Sequence, residues 1–291
     1  MVRRRVPLGT DEKLFRAMHR RMLDGPRPVP PWERLDPAGV PDALRERVRR
    51  GWAARVEAEY RSMVVFGELI ARFPEAGLPL EVSCAASRLL QDEARHTELC
   101  ARVAEAFGGY DEATLAPGHL RLVDDALPAH LFVARWTASM FCVGEAASVG
   151  LLGVLRDGAT DPCVASVLDT LLRDEVLHDR FGWALARVVF PRLTDDEREW
   201  LGADLAFAFA HYDQMNAGCL RPDGGEVPAA PETPEDPGAV ALGIASRWRF
   251  APAFYRRIDE VILPSFAALG VPAYEAWALR HEAAATAARE A

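Results

Sequence analysis

The sequence predicts an all-α chain, an up-and-down bundle of four long helices with additional helical segments before and after it. Apolar residues recur at helical spacing through several long windows. Proline and glycine breakers fall between those windows. Alternating apolar–polar runs and Asn-Gly or Asp-Gly hairpin turns are few.

The first helix is expected at 42 to about 72, with Trp52, Val56, Met63, Phe66 and Ile70 on one stripe. Ala76-Gly77-Leu78-Pro79 interrupts the chain. A second helix runs from about 80 to 107 and stops at Gly108-Gly109, because glycine tolerates the left-handed backbone that closes a helix. A loop with Pro117, Gly118 and Pro128 leads to a third, about 129–156. Asp161-Pro162 pairs an N-cap with proline at the first helical position and opens a fourth, ending near Pro191. Thr194-Asp195-Asp196-Glu197 is a capping box with its acids at the positive end of the helix dipole; this fifth helix closes near Gly218. Residues 219–238 are rich in proline and glycine and form a surface loop. Two or three helices follow, broken at Pro264 and at Gly270-Val271-Pro272. The chain reads as a single domain: an N-terminal arm (1–41), a core bundle (about 42–190) and a C-terminal helical extension (191–291).

A length of 291 residues suffices to bury a core without covalent staples, and 50% hydrophobic with 26% charged residues are globular values. The net charge of −9 opposes attraction to nucleic acid or an anionic membrane. No run reaches the roughly 18 consecutive apolar residues of a membrane span. The start, MVRRRVPLGTDEK, is basic without the apolar stretch of a secretory signal. The basic first 22 residues, with Arg3, Arg4, Arg5, Arg16, Arg20 and Arg21, read as a solvated arm. Cys84, Cys100, Cys142, Cys163 and Cys219 form an odd, scattered set with no C-x-x-C pair, so reduced thiols and a cytoplasmic location are expected. Lys13 is the only lysine. Arginine abundance therefore reflects the codon usage of a GC-rich bacterial genome and is not read as phosphate binding.

Chemistry concentrates in one repeated pattern. Two of the seven histidines end the same hexapeptide frame: Gln91-Asp92-Glu93-Ala94-Arg95-His96 on the second helix and Arg173-Asp174-Glu175-Val176-Leu177-His178 on the fourth. Residues i and i+3 lie one above the other on a helix, so Glu and His converge on one point, where they can share a metal ion. Two facing helices then offer two such pairs, and each ion needs further carboxylate from the remaining helices. Glu59 lies in register with the apolar stripe of the first helix. Glu145 sits among Ala138, Phe141, Cys142, Val149 and Leu152 on the third. A carboxylate buried there unpaired would cost several kcal/mol, about the penalty for any uncompensated buried charge. Glu57 and Glu68 share a face with Arg50, Arg61 and Val64 and read as solvated surface charges. Glu59 to Glu93 spans 34 residues and Glu145 to Glu175 spans 30, each one helix out and half a helix back. The chain thus carries an internal repeat, Glu then Asp-Glu-x-x-His, twice. Four carboxylates and two imidazoles aimed into one core repel unless a cation neutralises them, and carboxylate-rich donors suit iron or manganese better than zinc.

Over roughly residues 50–190 this pattern resembles the ferritin-like superfamily of non-haem di-iron carboxylate proteins. The resemblance implies Glu59, Glu93, His96, Glu145, Glu175 and His178 as ligands of two iron ions, or of a mixed manganese–iron pair. It also implies that Asp92 and Asp174 hydrogen-bond the ligand imidazole of the opposite half. Family members often carry arginine just before each ligand histidine; Arg95 agrees and Leu177 departs. Relatives that N-oxygenate arylamines add a histidine four residues before the second Glu-x-x-His, where this chain has Leu171, which lowers that assignment. Candidates for a substrate pocket are Cys100, Cys142, His211 and Tyr212, against the favoured readings of core filler for the cysteines and plain core or surface roles for His211 and Tyr212. His19, His119, His130 and His281 have no partner pattern.

The expected function is an O2-dependent oxidase or oxygenase acting on a small organic molecule, in specialised metabolism, by a monomer or homodimer. No Rossmann, nucleotide-loop or flavin motif is present, so electrons come from a separate reductase or from the substrate. The alternatives are a ferroxidase that handles Fe(II) without an organic substrate and a metal-stabilised scaffold without turnover.

Overall fold

Four long helices carry the fold: α1 (Asp42–Arg72), α2 (Leu80–Ala106), α3 (Ala129–Gly158) and α4 (Pro162–Val189). The computed structural model describes residues 4–7, 28–110, 112–115, 122, 126–218, 220–221 and 235–290. His19, His119, Cys219 and most of the loop expected at 219–238 lie outside them. Helix α1 packs along α2, α3 along α4, and α2 also meets α4. Then follow α5 (Asp195–Asn216), a short α6 (Pro237–Ala241), α7 (Arg247–Ala268) and α8 (Ala273–Glu290). The chain is predominantly helical.

Local chemistry sets most of these boundaries. Asp161 accepts hydrogen bonds from Cys163 N and Val164 N (both 2.9 Å) and opens α4. At α5 both arms of the capping box form: Glu197 N donates to Thr194 Oγ1 (3.3 Å) and Thr194 N to Glu197 Oε2 (2.8 Å). Asp236 caps α6 inside the end of the stretch read as loop.

Three features depart from the sequence reading. Arg4–Pro7 pairs antiparallel with Glu112–Leu115, Arg4 opposite Leu115, so part of the expected solvated arm is a strand tied to the α2–α3 connection. Strand pairing satisfies backbone groups whatever the side chains, so the segment carries no alternation to read. Between residues 28 and 41 the expected N-terminal helices are only single turns, Trp32–Arg34 and Pro37–Gly39. Pro264 does not break α7. A π-helical stretch, Ile258–Ile262, precedes it, and the wider turn accommodates the missing N–H and the ring. The break at Gly270, with φ of 74°, holds.

A second π-helical stretch, Thr137–Glu145, lies inside α3 and ends on Glu145. By length and composition α3 could cross a membrane, but 56% of its apolar window is buried within the fold; α7 and α8 would pass that test only jointly, across a 119° bend.

The C-terminal helices are locked onto α5 by a buried ionic network. Asp213 accepts from Tyr255 OH (2.7 Å) and from Arg280 Nε (2.8 Å), and all three residues are almost fully buried. Replacing Asp213 with alanine leaves the Arg280 guanidinium buried without its counter-ion. A loss of about 3 kcal/mol in unfolding free energy is expected, read by denaturant titration.

The apolar interior comes in two clusters. One gathers Val48, Trp52, Val56, Leu99, Leu152, Leu155, Leu168 and Leu171. The other gathers Phe66, Leu69, Leu89, Phe141, Ala146, Trp183 and the aromatic residues of α5, α7 and α8. On α1, α2 and α4 the residues between the two clusters include the acidic and histidine positions of the repeat, and on α3 Glu145 sits among the second cluster's residues, between Val143 and Ala146. A polar layer crosses the core there.

Candidate metal centre

All six residues of the repeated pattern meet in that layer. They form two overlapping groups, Glu59, Glu93, His96 and Glu175, and Glu93, Glu145, Glu175 and His178. In each group one donor atom per residue lies within 4.8 Å of the others. Each group can hold a metal ion. Glu93 and Glu175 belong to both.

The orientations are consistent from one half to the other. His96 turns Nδ1 toward Glu59 Oε2 (3.4 Å), Glu175 Oε1 (3.4 Å) and Glu93 Oε2 (3.9 Å). His178 turns Nδ1 toward Glu93 Oε1 (2.9 Å), Glu175 Oε2 (3.6 Å) and Glu145 Oε2 (4.0 Å). Glu93 and Glu175 therefore present one oxygen to each histidine, the posture of a bridging carboxylate. The far nitrogens face outward and across the bundle: His96 Nε2 is 3.3 Å from Asp174 Oδ2 and His178 Nε2 is 3.8 Å from Asp92 Oδ2. The first contact is a hydrogen bond, and an imidazole held through one nitrogen by a carboxylate offers the other in a fixed direction and tautomer; the second is an ion-pair distance only, and His178 Nε2 has no hydrogen-bond partner.

Arg95 is buried between these aspartates, 2.7 Å from Asp92 Oδ1 and 3.8 Å from Asp174 Oδ2. Arg88 adds a second bond to Asp92 (2.8 Å). Leu177, at the place equivalent to Arg95, is 44% exposed and takes no part. The two halves are thus alike in ligands and unlike in their outer support.

Donor chemistry fits a cation. Both oxygens of Glu93, Glu145 Oε1, Glu175 Oε2 and the Nδ1 atoms of both histidines are buried without a hydrogen-bond partner. Such groups are costly unless something pairs with them. Charge tells the same story. Burial, then the Glu175 charge, pushes the Glu93 carboxyl up to about 8, and the same two causes raise Glu145 well above the carboxylate range. Burial would depress the His96 imidazole, but the Glu175 and Glu59 carboxylates facing Nδ1 outweigh it and raise it to about 10. Likewise burial opposes, and the Glu175 charge overrides, at His178. Glu175 is held well below its ordinary value by His178, against its own burial. Without a metal, protons supply the positive charge.

Linkage follows. Glu93 and His96 both have raised values in the folded protein, so the folded state binds these protons more tightly than the unfolded chain. That contribution is complete below the ordinary values of 4.5 and 6.5 and is lost as pH climbs through about 8 and about 10. The metal-free protein is expected to melt at progressively lower temperature from pH 7 to pH 10. Metal added at pH 7 should release the protons that Glu93, Glu145, His96 and His178 hold, read in weakly buffered solution. Metal uptake without proton release would contradict this account.

The remaining sequence candidates divide. Glu59 is the most open ligand, its side chain 12% exposed. Cys100 is buried beside the centre, its thiol raised by burial and then by Glu59. Cys142 is buried within the aromatic cluster, its thiol raised by burial and then by the Asp179 charge. Tyr212 reaches between helices to Met140 Sδ (3.6 Å) and lies over Gly144, where a β-carbon would overlap its phenol oxygen. His211 is exposed, stacked edge-on against Tyr212, and does not line an interior pocket. Its side chain leaves α5 on the outer face, one position round from Tyr212. Glu68, read as a solvated charge, accepts from Leu122 N (3.0 Å), and Glu57 is half-buried. His130 pairs with Glu197 (2.8 Å), tying the start of α3 to α5. The sequence reading missed the aromatic wall: Phe66 stacks on Phe141 (4.9 Å between centroids) and sets its ring edge-to-face with His178 (5.9 Å). Phe66 and Phe141 were legible as stripe residues, but nothing marked them as neighbours of the centre.

Compared with protein-family models, curated proteins and solved structures, the chain matches none.

Proposed function

We propose that this chain is a ferritin-like di-metal protein that uses O2 to oxidise a small organic molecule, with two iron ions as the preferred pair and manganese–iron as the variant. The observation that carries the reading is the sharing of Glu93 and Glu175 between two histidine-bearing donor groups. Two ferrous ions held by these six residues would supply a Lewis-acidic place for one small molecule and electrons for O2.

The chain's own residues would act in distinct ways. Glu93 and Glu175 hold the ions together, while Glu59 and Glu145 each complete one position. Asp174 would fix the imidazole of His96, and the Asp92 charge faces that of His178. Phe66 and Phe141 would keep water from the His178 side, and Glu59, the least buried of the six, is where solvent comes nearest the centre. Carboxyl groups with raised affinity for protons, Glu93 and Glu145, can hold the protons that reduction of O2 consumes. Donation of further electrons falls to a reductase or to the substrate. The open edge at Glu59 also suits a ferroxidase, in which Fe(II) itself enters and is oxidised.

Anaerobic loading with Fe(II), anomalous scattering from crystals and then exposure to O2 test the reading. Two ions per chain on the six named residues and rapid O2 uptake are expected. A single ion lacking either Glu–His couple overturns the proposal. A monomer or dimer favours the organic substrate; a large hollow assembly favours the ferroxidase.

A further inference from the structure

Outside the six ligands, one guanidinium touches both helices that build the Glu145–His178 position. Arg257, near the middle of α7, donates from Nε to the carbonyl oxygen of Ala146 (2.9 Å) and from Nη2 to Asp179 Oδ2 (2.9 Å). Ala146 directly follows Glu145, at the point where the π-helical stretch returns to α-helix. Asp179 directly follows His178, and its other oxygen accepts from Trp183 Nε1 (3.0 Å). The ion pair is largely buried, with 22% and 16% side-chain exposure. The contact depends on Gly150: a β-carbon there would stand 3.0 Å from Arg257 Cγ and 3.5 Å from the Ala253 carbonyl. Among the hydrogen bonds of the described residues, the residue that follows His96, Thr97, meets α1 only through a 3.9 Å contact of Oγ1 with Met63 Sδ.

We infer that Arg257 is a positioning residue for the Glu145–His178 ion position, so that the C-terminal helices set the affinity of one metal position and leave the other alone. The inference rests on the di-metal reading above. A π-helical turn is wider and less well hydrogen-bonded than an α turn, so the direction of Glu145 depends on what anchors its end. Arg257 anchors that end and the next residue after His178 with one rigid planar group. Supporting contacts of this kind change metal affinity by about 10–100-fold.

The test is titration of the whole chain with Co(II), followed by absorbance, in wild type, Arg257→Gln, Asp179→Asn and the double variant. Wild type is expected to take up two ions. Arg257→Gln and Asp179→Asn each weaken one of the two at least about 10-fold and leave the other unchanged. The double variant is no weaker than the worse single one, because both remove the same strut. Arg257→Lys, which keeps the charge, recovers part of the loss. In a His178→Ala background, which retains only the Glu59–His96 position, Arg257→Gln changes nothing; a general loss of stability would weaken that position too. Equal weakening of both ions, or unweakened uptake of both, overturns the inference. If Arg257→Gln does not fold, Asp179→Asn decides alone. A wild type that binds no Co(II) defeats the di-metal reading itself.

Discussion

Alanine at Glu93 or at Glu175 is expected to empty both ion positions at once, whereas alanine at Glu145 or His178 empties one. The difference follows from sharing: Glu93 and Glu175 stand in both donor groups, the other four in one each. Removing a supporting contact already costs about 10–100-fold in affinity, so removing a bridging ligand should cost more at each position. All four variants are expected to lose O2 uptake by ferrous protein while keeping helical circular dichroism. Elemental analysis and stopped-flow oxygen measurements read the result; full occupancy in any of them would contradict the assignment.

The metal-free state separates the two bridging residues further. Glu175 is the anion that both imidazoles lean on, and Glu93 is held toward its protonated form by burial and by Glu175. Glu93→Gln should therefore leave the metal-free melting temperature unchanged or raise it. Glu175→Gln strips two buried imidazolium groups of their main counter-charge and is expected to cost about 3 kcal/mol.

The second large effect is expected at Gly144. Its missing side chain lets the Tyr212 ring pass directly over the π-helical stretch of α3, one residue before Glu145. Valine there must displace Tyr212 or push the α3 backbone away from it. Overpacking of this kind costs about 1–3 kcal/mol. The displaced backbone carries Glu145 with it, so the Glu145–His178 position should lose its ion first. Gly144→Val with Tyr212→Ala should restore metal binding by making room. Failure of that rescue, with the protein folded, would mean that Tyr212 is not what the valine meets.

The helices themselves were legible because each is written in local terms. The stripe from Trp52 to Ile70, the Asp161-Pro162 start and the Thr194–Glu197 box give boundaries that the structure reproduces to within about two residues, the ordinary ambiguity of helix ends. The six candidate ligands were legible for a related reason. An i, i+3 pair of Glu and His, repeated with the same preceding Asp, is a pattern along one helix, and polar residues in apolar stripes stand out against their neighbours. His211 is exposed while Tyr212 reaches inward because adjacent helix positions differ by about 100° in direction, so neighbours in sequence do not share a face.

Sequence alone determined which residues form helices and which acids and histidines those helices carry into the core, because propensity, capping and periodicity act over a few residues. Only tertiary structure decided that α3 widens into a π-helix at Glu145, that Phe66 stands edge-to-face with His178, and that Arg257 reaches Ala146 and Asp179 from more than 75 residues away. Those outcomes are set by packing between segments distant along the chain, where a side chain's partner is whatever the fold brings within hydrogen-bond range and no local pattern records it.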